Sequence, residues 1–128
     1  MGSVGYVQAV EILNSAYQHV ATITKGIREP YGAFYDDQGN LYVANTYTGY
    51  LPGGRNVTEY NTKRRLTFTY SAHLYLPEGV TVDASGNVYV ADFNGAVVEY
   101  PQRSNMPVAS CTSGLANEGI ARDEATGD

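Results

Sequence analysis

The chain contains a long internal repeat, and this repeat limits the possible folds more than any other feature. Residues 30–45 align without a gap with residues 77–92, at an offset of 47. Both segments follow the pattern Pro-x-Gly-x-x-x-Asp-x-x-Gly-Asn-x-Tyr-Val-Ala and end in Asn or Asp. A third copy begins at Asn117 and runs to Asp128. The chain is therefore built from units of one kind.

The segments between these copies repeat as well. Residues 57–60 (Val-Thr-Glu-Tyr) align with residues 97–100 (Val-Val-Glu-Tyr) and, more weakly, with residues 10–13. Each of the three segments ends 17 residues before the start of the next Pro-x-Gly or Asn-x-Gly. Such constant spacing indicates one structural unit that occurs several times.

Each unit reads as four short strands. The first two strands are rich in Val and Tyr, and the Asp, Gly and Asn between them favour a tight turn. In the second full unit we predict strands at residues 79–82, 88–91, 96–100 and 108–111, with further fourth strands at 66–70 and 20–24. Little helix is expected, because no long stretch shows a period of 3.6 residues.

A recurring antiparallel unit of four strands, about 40 to 50 residues long, is typical of a β-propeller blade. The pattern in residues 30–45 and 77–92 closely resembles the NHL repeat of β-propellers. The resemblance implies an all-β propeller fold. It is less specific for function, because such families include protein- and RNA-binding modules, lyases and relatives of the lactonase propellers.

Propellers close with about four to eight blades, whereas this chain holds two complete units and two partial ones. We predict one domain, in which residues 1–29 supply the third and fourth strands of a split blade. Residues 30–76 and 77–116 form full blades, and residues 117–128 supply the first strand of a split blade. Two chains placed head to tail would continue the repeat, so we expect a homodimer that closes a six-bladed ring. The alternative is an excerpt from a longer propeller.

Composition and charge exclude several partners. The chain has 128 residues, with 13 acidic and 8 basic side chains and a net charge of −5. No nucleic-acid partner is expected, because such binding depends on Lys and Arg that neutralise phosphates. No membrane partner is expected either, because no apolar run approaches the roughly 20 residues of a membrane helix. The single cysteine, Cys111, is expected to be buried on an outer strand.

The resemblance also implies candidate site residues. In propellers the first strand of each blade lines a central channel, so the residue between Pro and Gly should face the channel mouth; here these are Tyr31, Glu78 and Glu118. Asn45 and Asp92 end the second strands and are expected near the same face. In lactonase-type propellers such residues bind a divalent cation, which makes Glu78 and Glu118 candidate ligands for Ca²⁺ or Mg²⁺. The alternative is that no cofactor is bound and that Asn45 and Asp92 accept backbone amides.

The first full unit is seven residues longer than the second, and the surplus lies after Asn45. The longer loop contains Tyr47, Tyr50 and Arg55, residue types that are common in binding hot spots. Together with the residues above, they give the predicted ligand-binding set of Tyr31, Asn45, Tyr47, Tyr50, Arg55 and Asp92. The alternative is a tolerated surface insertion.

Two classes of function follow. We expect a non-enzymatic scaffold that binds a peptide or carbohydrate on the face with the tyrosine-rich loop, and no catalytic residue is assigned. The alternatives are a divalent-metal-dependent, lactonase-like hydrolase, with Asp92 as a further ligand, or an inactive fragment of a longer propeller. Tyrosines fall on several predicted strand positions and are expected to pack within the blades; they are Tyr35, Tyr42, Tyr60, Tyr89 and Tyr100.

Overall fold

A computed structural model describes residues 8–47, 54–112 and 120–121. All regular secondary structure in these ranges is β-strand. The strands are β1 (Val10–Leu13), β2 (His19–Ile23), β3 (Pro30–Tyr35), β4 (Leu41–Asn45), β5 (Asn56–Tyr60), β6 (Leu66–Tyr70), β7 (Pro77–Val82), β8 (Val88–Asp92), β9 (Ala96–Tyr100) and β10 (Ala109–Thr112). Within the same ranges, no helix is long and apolar enough to cross a membrane.

The strands form one two-stranded hairpin and two four-stranded antiparallel sheets. Strands β3 to β6 form blade 1 and strands β7 to β10 form blade 2, each in chain order. The all-β prediction is confirmed, and the predicted strands are found, although β2 and β10 are each displaced by one residue. The assignment of residues 1–29 and 117–128 to split blades stays a prediction.

One aspartate holds the turn between the first two strands of each blade. Asp36 accepts the amides of Gln38 and Asn40 at 2.9 Å, the Asn40 side chain at 3.0 Å and the Tyr42 hydroxyl at 3.0 Å. Burial alone would raise the pKa of Asp36, but these hydrogen bonds outweigh burial and lower it. Asp83 has the same four contacts in blade 2. The Asp and Asn of the repeat pattern therefore close the turn.

Two apolar clusters hold the three sheets together. One cluster joins blade 1 to blade 2 and contains Tyr42, Ala44, Val57, Tyr70, Val80, Val82, Val88, Val90, Val98 and Tyr100. The other joins the β1–β2 hairpin to the opposite face of blade 1 and contains Ile23, Ile27, Leu41, Val43 and Tyr60. Tyr42, Tyr60 and Tyr100 are buried as predicted, whereas Tyr35 is 52% exposed.

A buried carboxylate also links the blades. The side chain of Glu59 is fully buried, and its Oε1 accepts the Tyr70 hydroxyl at 2.7 Å. Its Oε2 lies 3.5 Å from Nε of Arg103, which belongs to the turn between β9 and β10 of blade 2. This ion pair adds a directional contact to the apolar cluster.

The prediction that Cys111 is buried is wrong. Cys111 lies on β10, the outermost strand of blade 2, and all four residues of this strand are exposed. No further strand covers β10 in the described ranges, so its side chains face solvent.

Candidate functional site

Four loops lie at one edge of the blades, which we call the loop edge. They precede β3 (residues 24–29), follow β4 (residues 46–47 and 54–55), precede β7 (residues 71–76) and follow β8 (residues 93–95). In each blade, the loop before the first strand and the loop after the second strand lie at the same edge. This follows because Pro30 at the start of β3 pairs with Asn45 at the end of β4, and Pro77 pairs with Asp92 in the same way. Apart from Tyr50 and Glu118, which lie outside the described ranges, the predicted site residues belong to these loops or to the adjoining strand ends.

Asn45 is buried at the base of this edge and supports the loop before β3. Its Oδ1 accepts the backbone amide of Arg28 at 2.9 Å. Its Nδ2 donates to Oδ1 of Asn56 and to Oγ1 of Thr58, both at 3.0 Å. Asn45 therefore fixes the position at which the loop presents Arg28.

Asp92 has the same function for the next loop. One carboxylate oxygen accepts the amide of Tyr75 at 2.7 Å and the other accepts the amide of Leu76 at 2.9 Å. Asp92 is fully buried, so both of these charge-assisted hydrogen bonds are shielded from water. Asn45 and Asp92 thus hold backbone amides of the loops that lead into β3 and β7.

Two contacts between arginine and tyrosine extend across the loop edge. The guanidinium carbon of Arg28 lies 4.7 Å from the ring centroid of Tyr47, and that of Arg55 lies 5.1 Å from the centroid of Tyr75. Both distances are within the range of cation–π attraction. Arg28 and Tyr75 occupy the same position of the repeat, 47 residues apart. Each pairs with a residue of the longer loop of blade 1, so this loop contacts the loops on both sides.

The backbone of the longer loop is fixed next to Tyr47. Gly54 and Arg55 have positive φ angles of 81° and 53°. A Cβ atom on Gly54 would lie 2.5 Å from Cβ and 2.6 Å from the carbonyl oxygen of Tyr47, so only glycine fits. A positive φ at a residue such as Arg55 costs about 1 to 3 kcal/mol.

Aromatic side chains are accessible at or beside the loop edge. Tyr31, Tyr75 and Phe93 are each more than a third exposed. Prediction from sequence missed Arg28, Tyr75 and Phe93 as site residues. The sequence does contain a signal for Arg28 and Tyr75. They are separated by the repeat offset of 47, as are Asn45 and Asp92.

The described ranges contain two of the predicted cation ligands, Glu78 and Asp92. There, no group of three or more His, Cys, Asp or Glu residues is close enough to hold a metal ion. Glu78 is partly buried on β7, and both Asp92 oxygens accept backbone amides. The predicted cation site includes Glu118, which lies outside the described ranges, and it stays a prediction.

The fold and the repeat define an all-β protein with propeller-like blades. Residues 74–96, which include β7 and β8, match the family model of the NHL repeat. This match confirms the resemblance seen in the repeat pattern. A comparison with curated proteins gives no significant match.

Among solved structures, the chain is similar to a protein of unknown function from Bacteroides caccae. The TM-score is 0.61 and the sequence identity is 18%. The similarity covers 94% of this chain but only 44% of that chain, so this chain spans less than half of its structural relative. At this level of sequence identity, the similarity is evidence for a similar fold and not for a shared function.

Proposed function

We propose that the chain is a non-enzymatic β-propeller module that binds a peptide or a carbohydrate at the loop edge. The observation that carries this proposal is the pair of Arg–Tyr contacts, Arg28 with Tyr47 and Arg55 with Tyr75. A guanidinium group stacked on a ring still makes hydrogen bonds in its own plane, and an exposed ring offers an apolar face. This combination suits a ligand with carboxylate or hydroxyl groups beside C–H surfaces.

The polar groups beneath the loops support a preformed binding surface. Asn45 and Asp92 hold the backbone on which Arg28 and Tyr75 are placed. A rigid support of this kind reduces the entropy that the loops lose when a ligand binds. Tyr31 and Phe93 extend the accessible surface on either side.

Replacing Tyr75 by alanine is expected to weaken ligand binding strongly. The substitution removes an accessible ring and the contact that positions Arg55, and loss of such an anchor weakens affinity by about thirtyfold. Oligosaccharide and peptide arrays probed with the wild-type protein would identify the ligand, and titration calorimetry with that ligand would compare the variants. Tyr17→Ala is the control, because Tyr17 lies in the β1–β2 turn and is 86% exposed. Equal affinity in Tyr75→Ala and Tyr17→Ala would place the ligand elsewhere, and no array binding would contradict the proposal.

We also propose that two chains complete one six-bladed ring. The repeat supports this, because two chains placed head to tail continue its pattern. Each copy would supply two four-stranded blades and one outer hairpin.

The native mass in solution is expected to be twice the chain mass of 13.8 kDa. Two partial rings that complete each other give a closed assembly with no further growth. Light scattering coupled to gel filtration would measure this mass directly. A monomer, or a ladder of larger species, would contradict a closed ring of two chains.

A further inference from the structure

An apolar groove runs beside β1, between the hairpin and blade 1. Its lining includes Val10, Ile12, Ala33, Tyr35 and Leu41, and we call it the β1 groove. Within the described ranges β1 pairs only with β2, so its other edge has no strand partner there. An open strand edge beside an apolar groove is a template for an added strand.

The equivalent space next to blade 2 is filled. Ala33 and Tyr35 correspond to Val80 and Val82, 47 residues later. Val80 and Val82 are 6% and 3% exposed, because they pack in the cluster that also contains the inner strands of blade 1. Tyr35, by contrast, is 52% exposed. The β1 groove is therefore the place where the inner strands of a preceding blade belong.

We infer that the β1 groove receives the segment around Ala121 of a second copy of this chain. This inference rests on the two-chain ring proposed above. Ala121 and Phe34 occupy the same position of the repeat. Ala121 is the fifth residue of the third copy, and Phe34 is the fifth residue of the first copy. Phe34 packs against the cluster that contains Val82, and Ala121 is exposed in the single chain.

The sizes of these side chains are complementary. Between blades 1 and 2, the large side chain of Phe34 packs against the cluster that contains the smaller Val82. At the junction between two copies, the small Ala121 would meet the large Tyr35. Well-packed interfaces conserve total side-chain volume, so an exchange of large and small partners keeps the fit. This complementarity identifies a second copy as the occupant of the groove.

A charge in the β1 groove is expected to separate the two copies. Tyr35→Asp should reduce the native mass from twice 13.8 kDa to that of one chain, because the carboxylate would be buried without a partner. Tyr35 is half exposed in the single chain, so the variant should keep its fold, which circular dichroism would verify. Tyr17→Asp, in the exposed β1–β2 turn, should keep the wild-type mass.

Exchanging the side-chain sizes at positions 121 and 35 tests whether the segment around Ala121 of a second copy occupies the groove. Ala121→Phe should dissociate the assembly because phenylalanine would collide with Tyr35, and adding Tyr35→Val should restore it. The groove inference would be overturned if Tyr35→Asp or Ala121→Phe alone stayed dimeric, or if the double variant failed to restore the dimer. Each of these outcomes would leave the ring proposal standing. A monomeric wild type would overturn both.

Discussion

As pH rises from 10 to 11, the protein is expected to lose about 4 kcal/mol of its stability. Four tyrosines at the blade interfaces are 1% exposed or less: Tyr42, Tyr60, Tyr70 and Tyr100. Burial raises the pKa of each hydroxyl above its usual value near 10, and at Tyr70 the neighbouring Glu59 carboxylate raises it further. The native state therefore keeps protons that the unfolded chain releases.

The sign of the pH dependence follows from proton linkage. Below pH 10 both states hold these protons, and the contribution of the tyrosines to stability is fully present. Above pH 10 the unfolded state binds fewer protons than the native state, so the free energy of unfolding falls as pH rises towards the raised folded pKa. One pH unit above 10 costs about 1.4 kcal/mol for each tyrosine with a strongly raised pKa, or about 4 kcal/mol for Tyr42, Tyr70 and Tyr100 together. The raised pKa of Tyr60 acts in the same direction. A typical domain has a total stability of about 5 to 15 kcal/mol.

A pH titration that follows tyrosinate absorbance and circular dichroism together would test this expectation. The four buried tyrosines should ionise together with unfolding, so the strand signal should be lost as their tyrosinate absorbance appears. Tyr100→Phe should lower the number of protons released in that step by one. Ionisation of every tyrosine near pH 10 with an unchanged strand signal would contradict the expected burial.

Local features of the fold were predictable because their causes are close in the sequence. The turn at Asp36 is closed by hydrogen bonds to residues no more than six positions away, so its Asp, Gly and Asn are visible as a pattern. The same applies to strands of alternating Val and Tyr. These signals placed the strands to within two residues of their observed bounds.

Features that depend on blade packing were not predictable in the same way. The Arg55–Tyr75 contact joins two loops 20 residues apart, and its geometry depends on how blade 2 lies against blade 1. Glu59 would be placed at the surface by its charge alone, yet it is buried between Tyr70 and Arg103. Tyr35 resembles Tyr42 in sequence context but is exposed, because burial requires a neighbouring blade on the correct face.

Replacing Gly32 by alanine is expected to destabilise the protein by about 3 kcal/mol. A Cβ atom at this position would lie 2.5 Å from the carbonyl oxygen of Glu78 on β7, and 3.5 Å from Cα of Gly79. These are backbone atoms of a strand that is paired with β8, so they cannot move without disturbing the sheet. The first strands of blades 1 and 2 would have to separate, which would also loosen the apolar cluster between them. The glycine of Pro-x-Gly therefore sets the distance between neighbouring blades.

Gly39→Ala is the matched control because it changes the same residue type at a place with more space. Gly39 has a positive φ of 87°, and its nearest contact is a methyl group of Thr62 at 3.2 Å. Its replacement should cost about 1 kcal/mol, mainly from backbone strain. Urea unfolding followed by circular dichroism would compare the two variants with the wild type. If Gly32→Ala were no more destabilising than Gly39→Ala, contact with the Glu78 carbonyl would not be what limits the approach of the two blades.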